Sequence, residues 1–151
     1  MREARVWEWL LHHSPDWLAV ERIEALFPPG LADCFWTDMR DGRSGWLELK
    51  YCDPKNIEFL RGRIPKLRPE QPMFLARQVR KNVPAGILLR VGSVGMNKWY
   101  VWKASSNREW INQVRGPDAI YNATASWTNS DPKYAPTVEE IITVLRGDLM
   151  L

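Results

Sequence analysis

Two cysteines in 151 residues, Cys34 and Cys52, are too few for a disulfide framework and stand at no metal-ligand spacing. A reducing cytosol is the expected setting. No apolar run approaches the roughly 20 residues that a membrane span requires, so no membrane partner is expected. The start, Met1-Arg2-Glu3-Ala4-Arg5, lacks the apolar core of a secretory signal. No glycine-rich phosphate cradle and no Ser-His-Asp order occurs, which removes the commonest nucleotide-binding and acyl-transfer signatures. The two histidines, His12 and His13, have no partner at metal spacing. Charge of one sign is also scarce. Lys and Arg number 21 against 18 Asp and Glu, a net +3 that permits a polyanionic partner without demanding one.

What is abundant is tryptophan, nine residues, and 45% of the chain is hydrophobic, enough for a core without staples. The length suits one domain. Trp7–Leu11 reads as a short helix or turn. Ser14-Pro15-Asp16 is a helix-start signal, and Trp17, Val20, Ile23 and Phe27 recur at helical spacing until Pro28-Pro29-Gly30. Two strand-like runs follow, Leu31–Asp38 and Gly45–Tyr51, joined by a segment holding Asp41-Gly42. Residues 55–66 read as a basic loop. A second helix is predicted from Arg68 to about Asn82, then strands at Ile87–Val91 and Lys98–Trp102. Residues 104–136 turn polar and give no clear pattern. Thr137-Val138-Glu139-Glu140 reads as a capping box slipped by one residue, opening a helix that ends at Gly147. The expectation is an α/β fold, a mixed sheet flanked by helices in the order helix, strand, strand, helix, strand, strand, then an extension and a C-terminal helix.

The hairpin carries the chemistry. Closed around Arg40 and Asp41, it sets Asp33 opposite Glu48, with Lys50 one diagonal step away on the same face. The other face carries Cys34 and Trp36 with Leu47, Leu49 and Tyr51, a core-like set. Two adjacent carboxylates repel unless a cation joins them. Hard divalent ions take such oxygens, and a lysine beside them orients a water for attack. The same alternation also describes a solvated ion-pair ladder.

Asp33 followed by Glu48-Leu49-Lys50 resembles the core motif of the PD-(D/E)XK nucleases, an Asp on one strand and (D/E)-x-K on the next. The resemblance is closest to small Holliday-junction-resolvase-like and VRR-NUC-like endonucleases, many of them phage-encoded, and covers about 16–103. One departure is Ala32, where the motif has proline. The resemblance implies a restriction-endonuclease-like sheet within a single nuclease-like domain over 1–151, with an extension at 104–136 and a helix at 137–147. It implies a Mg²⁺- or Mn²⁺-dependent endodeoxyribonuclease acting on branched or duplex DNA as a homodimer. Asp33, Glu48 and the Leu49 carbonyl would hold the metal, and Lys50 would position the water. Glu24 on the preceding helix would approach the metal, with Glu21 as its substitute. Gln71 would contact the site or the scissile phosphate. As plain residues, Glu24 is equally a solvated helix carboxylate and Gln71 a polar helix start.

Between Asp53 and Arg90 stand Lys55, Arg61, Arg63, Lys66, Arg68, Arg77, Arg80, Lys81 and Arg90, opposed by Asp53, Glu58 and Glu70. Arg61, Arg63, Lys66, Arg68 and Arg77, with Arg43 at the hairpin tip, are the candidate phosphate contacts; the alternative is a solvated face. Two other functions fit the sequence. One is a non-catalytic nucleic-acid-binding module on a vestigial nuclease fold. The other is an interaction protein acting through the segment from Ala104 onward.

Overall fold

The structure is a computed structural model, and residues 3–23, 32–93, 96–129 and 136–147 are described. Helix α1 (Glu3–His13) precedes strands β1 (Leu18–Arg22), β2 (Cys34–Asp38) and β3 (Arg43–Cys52). A short helix α2 (Ile57–Leu60) and helix α3 (Glu70–Arg80) lead to strands β4 (Ala85–Ser93) and β5 (Met96–Lys103). Helix α4 (Arg108–Arg115), strand β6 (Ala125–Asn129) and helix α5 (Val138–Arg146) complete it. The six strands form one mixed sheet in chain order, antiparallel throughout except for the parallel pair β3–β4.

The hairpin adopts the expected register, with Cys34 opposite Leu47 and Asp38 opposite Arg43. Gly42 takes the positive φ (77°) that the turn needs. The parallel β3–β4 pair requires a crossover, and that crossover lays α3 on the sheet face that bears Glu48 and Lys50. Trp46, Phe74, Leu75, Ile87, Leu89, Trp102 and Trp110 fill this side. The opposite core joins Val6 and Leu10 of α1 to Cys34, Trp36, Leu47, Leu49, Trp99 and the apolar face of α5. Both cysteines are buried free thiols, and none of the nine tryptophans is exposed. No helix among the described residues is long and apolar enough to cross a membrane.

Several expectations are corrected. Residues 18–22 are an edge strand, not part of a helix over 16–27. Pro15 closes a turn, its carbonyl accepting from the Leu18 N–H, and Leu18–Arg22 then pairs with β2 along its whole length. Ladder bonds to β2 outweigh a spacing that suits either element. The stretch 55–66 contains α2, capped by the Asn56 side chain. The polar segment 104–136 contains α4 and β6. Only Trp110 and Val114 of α4 are buried, too few to produce a visible stripe. The capping box at Thr137 is in register: its hydroxyl accepts from the Glu140 N–H and the Glu140 carboxylate from the Thr137 N–H.

A cluster invisible in the sequence pins α5 to the hairpin turn. Asp38 is wholly buried and accepts from the Arg40 backbone and guanidinium and from Arg146, which also binds Asp41. The Arg40 guanidinium lies 3.5 Å from the centre of a Trp17 ring. Hydrogen bonds from Arg40 come first among the causes holding the Asp38 carboxyl down at about 2. Asp38→Asn is expected to cost about 2 kcal/mol at pH 7, less than a wholly buried pair because half-exposed Arg40 is screened by water. A carboxyl depressed in the folded state stabilises above its unfolded pKa and stops doing so as pH falls through the folded value. The wild-type advantage over Asp38→Asn should therefore fade between about pH 4 and pH 2, as read by urea denaturation at each pH.

Candidate active site

Asp33 stands just before β2, and its carbonyl accepts from the Ile23 N–H at 2.8 Å, which extends the β1–β2 ladder past Arg22. The same register sets it across from Glu48. Its carboxylate reaches over the end of β2 and accepts from the Leu49 N–H at 2.7 Å. Because N–H and C=O of one strand residue project to the same side, the Leu49 carbonyl also points toward Asp33.

Glu48 and Lys50 are both buried, at 2% and 5% exposure. The Lys50 ammonium is 3.6 Å from Glu48 Oε1 and donates to the Lys66 carbonyl at 3.0 Å. Gln71, in the first turn of α3, donates from Nε2 to Glu48 Oε1 at 2.6 Å. Its amide orientation is fixed: the Arg68 N–H can only donate, and Gln71 Oε1 accepts from it at 2.9 Å. Glu48 Oε2 is buried with no hydrogen-bond partner. Burial, then the Asp33 charge, pushes the Glu48 carboxyl up to about 8, against the pull of Lys50.

A buried carboxylate oxygen without a partner, beside a second carboxylate, is stabilised by a proton or a cation. Asp33 lies close enough for its charge to raise Glu48, Glu48 Oε2 is orphaned, and the Leu49 carbonyl projects to the Asp33 side of β3, all three hard oxygen donors. The residues therefore fit a hard divalent ion. Among the described residues no three His, Cys, Asp or Glu side chains gather, so two carboxylates and a backbone oxygen are the set on offer. Glu24 lies outside the described residues. Glu21 is on β1 rather than a helix. It is exposed, pairs with Phe35, and so sits on the Asp33 face one diagonal step from it.

A cleft of about 510 Å³ opens beside Lys50, lined by Glu58, Lys66, Leu67, Arg68 and Pro69. Lys66 and Arg68 are exposed at its edge. The other basic candidates do not line it. Arg61 is the exposed C-cap of α2, and Arg77 is exposed in the last turn of α3. Arg63 donates to the Arg115 carbonyl at 3.0 Å. Arg43 pairs with Asp38 at the turn end of β3, on the sheet face opposite Glu48 and about 17 Å along the strand from it, so it does not belong to this site. Arg40, in the same hairpin turn, is engaged by Asp38 and Trp17. Sequence reasoning missed the Lys66 carbonyl as a partner of Lys50, and a backbone group leaves no signal in residue types.

No protein-family model matches the chain, and no curated protein or solved structure matches it. The function therefore rests on the chemistry of the site. Another concavity, of about 390 Å³ around Glu109, Asn112, Gln113 and Asp118, contains no buried ionisable side chain, whereas the Lys50 cleft has Lys50 at its wall and Glu48 behind it.

Proposed function

We propose that this chain is a metal-dependent DNA endonuclease of the PD-(D/E)XK kind, with a restriction-endonuclease-like sheet, that hydrolyses phosphodiester bonds in branched or duplex DNA. The observation that carries the reading is the meeting of Asp33, Glu48 and Lys50 on one sheet face, with Glu48 Oε2 buried and unpartnered.

Asp33 uses one carboxylate oxygen on the Leu49 N–H, which fixes its rotamer and leaves the other for a cation. Gln71 and Lys50 hold Glu48 from the opposite side. A bound Mg²⁺ or Mn²⁺ would shield the phosphate charge and acidify a water. Lys50 has three N–H donors; one goes to the Lys66 carbonyl, and the ammonium lies 3.6 Å from Glu48 Oε1 as an ion pair, leaving a further donor for water. That donor orients the attacking water in line with the leaving oxygen. The ammonium also offsets the negative charge that grows on the phosphate. Lys66 and Arg68 take the neighbouring phosphates, contacts that give affinity without sequence readout. Two cuts across a junction require two such sites, so a two-fold dimer goes with a branched substrate.

The test is purified protein with labelled four-way junction, flap and duplex, with and without Mg²⁺. Mg²⁺-dependent cleavage of any of them is expected. Tight binding without cleavage in either Mg²⁺ or Mn²⁺ would favour a non-catalytic nucleic-acid-binding module instead.

A further inference from the structure

Lys66 adopts φ +55°, the left-handed region that a lysine rarely enters. Pro65 precedes it within the same turn. A proline followed by a residue with positive φ is the pattern of a type II turn, whose third position favours glycine or asparagine. A lysine stands there at a conformational cost that glycine would not carry. Two contacts make use of that conformation. The Lys66 carbonyl accepts from Lys50 Nζ at 3.0 Å, and the Lys66 N–H donates to Glu58 Oε2 at 3.4 Å. The side chain, exposed, lines the cleft beside Lys50 together with Arg68.

We infer that Lys66 is a bifunctional positioning residue: its left-handed backbone aims a carbonyl at Lys50 and holds the ammonium beside Glu48, while its own ammonium binds the adjacent phosphate of the DNA strand. The inference rests on the endonuclease reading of the same site. Its two halves separate by chemistry. Any substitution removes the side-chain cation, but only a β-branched residue, which resists positive φ more strongly than lysine or alanine, withdraws the carbonyl.

The experiment is the series Lys66→Gly, Lys66→Asn, Lys66→Ala and Lys66→Val, ordered by falling tolerance of positive φ, assayed on duplex DNA with Mg²⁺. All four should raise KM several-fold and lower the salt slope of binding by about one. The turnover number should stay within about twofold of wild type for glycine, asparagine and alanine, and fall about tenfold or more for valine, as a charged hydrogen bond is lost. Lys66→Thr, β-branched but smaller, gives the same reading if the valine variant fails to fold. A turnover number that is equal across the series, or lost as fully in Lys66→Gly as in Lys66→Val, overturns the inference. If the wild type cleaves no DNA, the endonuclease reading has failed. The positioning claim is then decided by the ¹⁵N resonance of the Lys50 ammonium. That signal should persist in Lys66→Gly and Lys66→Ala and broaden or shift in Lys66→Val. An unchanged signal throughout contradicts it.

Discussion

Glu48→Gln is expected to lower Mg²⁺-dependent DNA cleavage by at least about 10³-fold, roughly 4 kcal/mol of transition-state stabilisation. The substitution keeps the shape of the side chain, and its amide oxygen can still accept from Gln71 Nε2, whose orientation the Arg68 N–H holds. What it removes is the anionic oxygen pair, one member of which is buried without a partner. DNA affinity without metal at neutral pH should be unchanged, because the Glu48 carboxyl, pushed up to about 8, is already protonated there. Cleavage rates and filter-binding affinity measured on the same preparation check both halves. Parallel loss of binding and cleavage would mean that Glu48 supports the fold of the interface and not the chemistry.

The same carboxyl predicts an unusual pH dependence of stability. In the folded chain it is pushed up to about 8 by burial and by Asp33, from an ordinary 4.5. Between those values the folded state keeps a proton that the unfolded chain has released. The contribution is complete below about pH 4.5 and is lost as pH rises through about 8. Metal-free protein should therefore weaken by about 2 kcal/mol between pH 5 and pH 9, a fall of roughly 4–8 °C in Tm. Glu48→Gln should be flat over that range and more stable than wild type at pH 9. Mg²⁺ at about 100 times its dissociation constant should restore roughly 2.7 kcal/mol to the wild type at high pH and nothing to the variant. Thermal denaturation with chelator or Mg²⁺ at three pH values reads all of this. Wild type and variant with parallel pH profiles would show that the Asp33–Glu48 pair is not protonically coupled.

Local rules carried much of the site. Asp41-Gly42 and the alternation on either side sufficed for the hairpin register, and the register alone placed Asp33 across from Glu48 and separated Cys34, Trp36, Leu47 and Leu49 onto the core face. The apolar residues Ile87, Leu88, Leu89 and Val91 marked a strand buried on both faces, and Pro69 marked the helix that delivers Gln71. Other features depend on contacts between distant residues. Arg146 binds Asp38 across 108 positions, and no window of sequence joins them. Strand β1 forms because β2 offers it a ladder, whereas Trp17, Val20 and Ile23 by themselves suit a helical stripe equally well. Helix α4 buries only two side chains, so its period is lost among polar residues. The Lys66 carbonyl works through backbone conformation, which residue identity marks only when the residue is glycine or proline.

Titration with Mn²⁺, followed by electron paramagnetic resonance, tests most directly whether Asp33 and Glu48 hold a divalent ion. Wild-type protein should show saturable binding at one site per chain that Asp33→Asn and Glu48→Gln both abolish while remaining folded. Absence of saturable binding in the wild type, or equal binding in all three proteins, would contradict the account.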